Sequence, residues 1–319
     1  MATIHDVARE AGVSTATVSY VLTGSRRMGA ETERRVREAA QRLGYRPNPL
    51  ARGLRACSTG LCGVVLGQLR PNMELIEGLS RELRGMGLVL RETGFEAERE
   101  RQALTDLAGL GVDALVWEPC GAPSPLPGKP VAFVGAAGEA PAGSLGCAGA
   151  NAALVGALLR EHLAACGSSH TLYLGGGEWP WGQELGEALR PEAELTALDA
   201  QQGWMTVARA LRQGLAFDSI VSATETAALG ALRALAEAGL RTPEECAVAC
   251  AGGGALASVA GITAVSLFPY RAGQEAGRMI RRHLAGEAPG AGAVRWPGRL
   301  TARGSTVAGA QAQWELEGL

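Results

Sequence analysis

Short hydroxyl side chains crowd positions 14 to 32, among them Ser14, Thr15, Thr17, Ser19, Thr23 and Thr32, together with a methyl at Ala16 and a phenol at Tyr20. Without an activating base such groups do no covalent chemistry; they exchange hydrogen bonds with phosphate oxygens and base edges. The spacings that reactive sites need are missing. No GxGxxG or GxxxxGK[ST] cradles a phosphate, no HExxH holds zinc and no GxSxG presents a nucleophile. His5, His162, His170 and His283 lack metal or triad spacing. The seven cysteines (57, 62, 120, 147, 166, 246, 250) form no CxxC pair and are expected to be reduced, mostly buried thiols. Gly175–Gly177 and Gly252–Gly254 follow apolar runs and read as strand-end turns, although Asp199 closes the strand after the first. No catalytic residue, metal or cofactor is expected.

The hydroxyls need a scaffold, and local signals supply one. Thr3 and Asp6 have capping-box spacing, opening a helix whose apolar face is Ile4, Val7, Ala8 and Ala11 and which Gly12 ends. Ser14 caps a second helix after a two-residue turn; Val18, Val21 and Leu22 form its buried stripe, and Thr15, Ala16, Ser19 and Tyr20 lie on other faces. Helices joined so tightly cross steeply, as in a helix-turn-helix. A third helix from about Ala30 to Leu43 contributes Val36, Ala39, Ala40 and Leu43 to a three-helix core and stops at Gly44. Docked by the first turn of its second helix, this head would set Thr15, Ala16 and Tyr20 against base edges in the major groove, with Ser14, Thr17, Ser19, Thr23 and Thr32 on phosphates. Singly, each hydroxyl is more often a cap or a surface group; their combination points to DNA.

Charge separates in the same way. Residues 1–60 hold ten arginines against five acids, a net +5, so the remainder carries −7 of the overall −2. A basic head on an acidic body suits a nucleic-acid arm on a soluble domain, although a solvated helix surface would account for the charge alone. Arginine dominates the 30 basic residues, Lys129 being the one lysine. A chain of 319 residues, 47% hydrophobic and 19% charged, exceeds one typical domain and can fill a core, which excludes disordered and collagen-like classes. With no long uncharged apolar run and no basic-then-apolar leader, no membrane association and a cytoplasmic location are expected.

From Leu61 onward, short apolar runs alternate with amphipathic stretches, the signature of βαβ units and parallel sheets. Strands are expected at 61–67, 88–91, 112–117, 131–134, 171–174, 195–198, 219–222, 246–250, 262–265 and 299–302, too many for one sheet. Two lobes follow, the first about 61–148 and 267–290, the second about 149–266 and 291–308. The fold class is thus α/β, with a small all-α helix-turn-helix domain in front.

The string T-I-H-D-V-A-R-E-A-G-V-S-T-A-T-V-S-Y-V-L, residues 3–22, resembles the LacI family of bacterial transcription regulators. Gly44-Tyr45-Arg46-Pro47-Asn48-Pro49-Leu50-Ala51-Arg52-Gly53-Leu54 is similar to the family's hinge, 227–244 matches its body well, and Arg303 to Thr306 matches more weakly. The resemblance implies a helix-turn-helix domain at 1–45, a hinge at 46–60, a two-lobed periplasmic-binding-protein-like sensor and dimerisation domain at 61–308 whose chain crosses between lobes three times, and a tail at 309–319. It implies a homodimer on a near-palindromic double-stranded DNA operator, acting as a repressor. Asn48, Ala51, Leu54 and Arg55 would join the DNA contacts, with Leu54 from each subunit wedged into the minor groove; unstacking there exposes more surface to contact. Tyr20 departs from the arginine that is frequent at its position, so the half-site should differ at one base pair. The tail has no leucine heptad, and a dimer is enough.

In sugar- and purine-sensing members the cleft between lobes is lined by charged and amide groups. Here the matching positions are Gly135, Ala150, Trp181, the pair Thr224-Glu225 and the pair Gly252-Gly253; the loop Gln68 to Met73 is short, and a proline-rich stretch from Cys120 to Pro127 replaces a helix. Trp181, Gln183, Trp204, Glu225 and Phe268, with Trp179 nearby, remain as effector-binding candidates. A sensor retuned to an apolar or aromatic effector, and a degenerate cleft with no effector that serves only as dimer scaffold, both fit; loss to alanine and glycine favours the scaffold. A different class, an α/β enzyme or ligand-binding module carrying an accessory head, lacks the motifs it would need.

Overall fold

The computed structural model describes residues 2–23, 26–45, 58–121, 128–135, 140–177, 179–288 and 292–307. The chain divides into two compact units at Gly60/Leu61. In the first, α1 (Ile4–Ala11), α2 (Thr15–Thr23) and α3 (Ala30–Arg42) enclose a core of Val7, Ala8, Ala11, Val18, Val21, Val36, Ala39 and Ala40. The capping box closes as expected: Asp6 N–H donates to Thr3 Oγ1 (3.3 Å) and Thr3 N–H donates to the Asp6 carboxylate (2.9 Å). Gly12 takes φ +62° and turns the chain, with Val13 N–H returning to Ala8 O. Leu43 departs from expectation. It is 36% exposed, because α3 ends one residue earlier and the chain folds back so that Tyr45 packs on the core instead.

The second unit holds two six-stranded sheets. One consists of β1 (Leu61–Leu66), β2 (Gly87–Glu92), β3 (Ala114–Trp117), β4 (Val131–Val134), β5 (Gly146–Ala150) and β11 (Ala293–Trp296), in the order β11-β5-β4-β3-β1-β2. All its pairings are parallel. The other consists of β6 (Thr171–Gly175), β7 (Ala193–Thr196), β8 (Ser219–Ser222), β9 (Ala247–Ala251), β10 (Thr263–Ser266) and β12 (Arg299–Thr301), in the order β12-β10-β9-β8-β6-β7, with β12 antiparallel to β10. Central strands such as Ala-Leu-Val-Trp and Val-Ala-Phe-Val are buried at every position, as helices on both faces require. Those helices are α4 (Met73–Glu82), α5 (Ala97–Gly109) and α11 (Pro269–Leu284) around the first sheet, and α6 (Ala152–Ala165), α7 (Pro180–Leu189), α8 (Ala200–Arg212), α9 (Glu225–Glu237) and α10 (Ala255–Val259) around the second. Among the described residues no helix is long and apolar enough to cross a membrane.

Two strands escaped the periodicity, and they move the lobe boundaries. β5, Gly-Cys-Ala-Gly-Ala, has no β-branched residue, yet lies fully buried between β4 and β11. It extends the first sheet through Ala150 rather than 148. β11 pairs with β5, so 293–296 belongs to the first sheet, and the chain rejoins the second only at Arg299. The passages between sheets therefore fall at 151, 267–268 and 297–298. At the first, Asn151 N–H donates to Trp296 O (2.9 Å) while its side chain caps α6, receiving Leu154 N–H at 2.9 Å.

Candidate nucleic-acid interface and a cavity between the sheets

The first turn of α2 is held from below. Ser14 Oγ receives Thr17 N–H at 3.1 Å and so caps the helix in the free chain, with the Thr17 hydroxyl bonded to it at 2.9 Å. Ala16 and Tyr20 are exposed, Tyr20 at 40%, and Thr15, Thr17, Ser19 and Thr32 are half-buried. Thr23 closes α2; Asn48, Ala51, Leu54 and Arg55 lie outside the described residues. Charge pairing sorts the arginines of the head. Arg9 pairs with Asp6, Arg34 with Glu31 and Glu38, and Arg42 with Glu10 and Glu38, while Arg35 donates to the carbonyls of Ala11 and Gly12. Arg26, Arg27 and Arg37 have no carboxylate partner among the described residues. Sequence reading left them out of the DNA-contact candidates; the available signal was the lack of an acid three or four positions from Arg26, whereas Glu31, four positions from Arg27, pairs with Arg34 instead.

The second unit encloses a cavity of about 440 Å³ at the carboxyl ends of both sets of strands, the crevice where open α/β sheets bind ligands. Gly135, Ala150, Trp181, Thr224, Glu225, Gly252 and Gly253, the positions expected to line the cleft, all line it. The effector candidates divide. Trp181 is on the wall, its Nε1–H given to Ala150 O (2.9 Å). Glu225 is also there, but its carboxylate receives the Gly254 and Ala257 N–H groups at the start of α10. Trp204 is not: it packs between α8 and α9, donating to Glu237 at 2.7 Å beneath the Arg233 guanidinium, 4.4 Å from its ring. Gln183 braces the Gly177 carbonyl at 2.9 Å, away from the wall. Phe268 has φ +53° and packs into the core at the start of α11, leaving Leu267 and Pro269 to face the cavity. Of the two loop changes, the segment after β1 forms a 3₁₀ turn at Arg70–Asn72, and 122–127 lie outside the described residues.

Two features of the wall went unread. Phe95, Trp179 and Trp181 form a continuous stack, with centroids 4.7 Å and 5.2 Å apart, that joins a loop of the first sheet to α7 of the second. At the end of β3 stands Glu118, 6% exposed, its Oε2 receiving Gly67 N–H at 3.0 Å. Burial pushes its carboxyl up to about 7 against the pull of that bond. Glu100, also buried, holds the residues on either side by accepting the Trp117 indole Nε1–H (2.8 Å) and the Cys120 backbone N–H (2.6 Å). An acid directly after a wholly apolar strand run was the signal for Glu118. The cleft is thus not stripped of carboxylates. A β-carbon at Gly135 would lie 2.7 Å from Glu118 Oε1, and one at Gly254 would lie 2.8 Å from Glu225 Oε1, so these acids occupy space that side chains at the glycines would take. Among the described residues no three His, Cys, Asp or Glu side chains cluster to hold a metal.

A capped helix-turn-helix head followed by a two-sheet body with a cavity at its strand ends defines the class: a helix-turn-helix module joined to a binding-protein-like fold. Residues 3–48 match the family model of bacterial regulatory proteins, lacI family, and residues 160–306 that of a periplasmic binding protein-like domain; the chain carries both. Among curated relatives, the HTH-type transcriptional regulator PtxS of Pseudomonas putida is 41% identical over 119 residues, 36% of this chain and 35% of that protein. AscG of Escherichia coli K12, also an HTH-type transcriptional regulator, is 42% identical over 125 residues, 37% of each. These matches span little more than a third of the relatives' lengths, and the relatives are named as regulators, not enzymes. The lac repressor dimer bound to operator and the anti-inducer ONPF shares the fold, with a TM-score of 0.80 at 22% identity over 96% of this chain and 99% of that one. The transcriptional regulator CelR-cellobiose complex does so at 0.66, 23% identical over 96% and 100%.

Proposed function

We propose that this chain is a cytoplasmic, sequence-specific DNA-binding transcription regulator, a repressor acting as a homodimer on a near-palindromic operator. One observation carries the reading: a capped α2 whose exposed face bears Ala16 and Tyr20, within a segment that matches the lacI family. Thr15, Ala16 and Tyr20 read bases, and Ser14, Thr17, Ser19, Thr23 and Thr32, joined by Arg26 and Arg27, hold phosphates. Asn48, Ala51, Leu54 and Arg55 contact DNA from a hinge at 46–60 that links the head (1–45) to the body (61–308). A wedge built from two Leu54 side chains requires two subunits across one kink, which matches a two-fold operator.

Mobility shifts of the full chain on genomic upstream fragments at two salt concentrations test this. A band that survives competitor DNA at the higher salt, and that Leu54→Ala weakens far more on the specific site than on random DNA, is expected. Affinity that ignores sequence and simply fades with salt overturns it.

A further inference from the structure

One carboxylate oxygen on the buried wall of the cavity is left without a partner among the described residues. Glu118 Oε2 is satisfied by Gly67 N–H, whereas Oε1 has no hydrogen-bond partner among the described residues, although the side chain is only 6% exposed. Oε1 stands beside Gly135 on the cavity wall. Of the other charged groups on the wall, Glu225 is taken up by the backbone of α10, Glu74 is exposed, and Arg70, also exposed, is the one cation among them. Apart from Thr224, whose hydroxyl donates to Leu198 O (2.9 Å), the rest of the buried wall is aliphatic or aromatic, headed by the Phe95–Trp179–Trp181 stack. Trp179 Nε1 is also without an acceptor among the described residues, but that atom is closed off from solvent, so the residue meets the cavity with its ring.

Buried in apolar surroundings, a half-satisfied carboxylate is unfavourable until a donor reaches it, and a cationic donor reaches it best. Aromatic ring faces attract cations as well. An anionic ligand would meet three carboxylates against one guanidinium. The uncharged polar groups of the wall are largely committed: the Thr224 and Thr226 hydroxyls donate to Leu198 O and the Asn72 amide donates to Gln68 O, which leaves a polyhydroxyl ligand the half-buried Gln68 and Ser266 side chains where it would need several convergent partners. At about 440 Å³ the space lies within the range of small-molecule sites. We infer that the cavity binds a primary amine with an aromatic or hydrophobic body, its ammonium on Glu118 Oε1 and its body against the Phe95–Trp179–Trp181 stack. This deepens the regulator reading, in which such an amine is the effector, but it is tested without DNA.

The test titrates the full-length chain, by tryptophan fluorescence and calorimetry at neutral pH, with 2-phenylethylamine, n-hexylamine, the neutral isostere 2-phenylethanol and the anion phenylacetate. The amines are expected to saturate, the alcohol to bind about tenfold or more weakly and phenylacetate not to bind. Glu118→Gln should lower amine affinity about ten- to a hundredfold, the loss expected for a hydrogen bond to a charged group. The ligand series on the unaltered chain decides the matter even if that variant does not fold. No saturation by either amine, equal affinity for amine and alcohol, or unchanged amine affinity in Glu118→Gln overturns the inference. Mobility shifts on the same preparation separate the two readings: specific DNA binding without amine binding sinks this inference alone, and amine binding without any DNA site preference sinks the regulator reading alone.

Discussion

Glu118 Oε1 and the backbone of Gly135 share one volume: a β-carbon on residue 135 would stand 2.7 Å from that oxygen, at a φ of +58°. Where the resemblance places a charged or amide side chain after β4, this chain delivers a carboxylate from the end of β3 instead. Gly135→Ala should therefore destabilise the body twice over, by about 1–2 kcal/mol for the left-handed backbone and by about 1–3 kcal/mol more for displacing Glu118. Urea unfolding of Gly135→Ala, Glu118→Ala and the double variant checks this. The double variant should recover the displacement part and keep the backbone part; strict additivity of the two single effects would refute the shared volume.

Glu118 also sets a pH dependence. Its carboxyl titrates near 7 in the folded chain against an ordinary 4.5, so between those values the unfolded chain has released a proton that the folded chain retains. Stability is fully present below about 4.5 and is lost as pH rises toward 7, by about 3 kcal/mol in all. Glu118→Gln should flatten that slope and be the more stable form at alkaline pH. Parallel slopes for the two proteins in urea melts from acid to alkaline buffer would contradict the assignment.

Ser14 has two tasks that substitution can separate. Ser14→Ala removes the cap on α2 and should lower the stability of the head by about 1 kcal/mol, weakening DNA binding alongside. Ser14→Asp keeps a capping oxygen but sets a negative charge against phosphate, so thermal stability should hold while DNA affinity falls. If both variants lose affinity only in proportion to stability, Ser14 is a cap and nothing more.

On the proposed DNA-binding face, Arg26→Ala and Arg27→Ala should weaken binding evenly across sequences, each lowering the salt slope by about one. Tyr20→Arg should instead change the preferred base at one pair of each half-site, worth about 1–3 kcal/mol of discrimination. Selection of bound sites from random DNA, with mobility shifts over a salt series, distinguishes a phosphate contact from a base contact.

The head was legible because its instructions are local. Thr3, Asp6, Gly12 and Ser14 act on backbone within four positions, and their caps form in the structure where the spacing placed them. Alternation in the body was equally readable, since strands buried on both faces must be apolar throughout. β5 was not, because Gly-Cys-Ala-Gly-Ala owes its strand state to neighbours on either side rather than to its own preference. Trp204 was misplaced for a related reason: position in the chain does not say which helix face meets α9 and which meets the cavity.

By itself the sequence determined a basic three-helix head, an α/β body behind it and the glycines of the cleft, because caps, periodicity and charge act over a few residues. Only the tertiary structure decided that Glu118 fills the space beside Gly135, that Phe95 stacks on Trp179, and that 293–296 completes the first sheet. Each of those depends on groups far apart in the chain, brought together by a core whose packing no local pattern encodes.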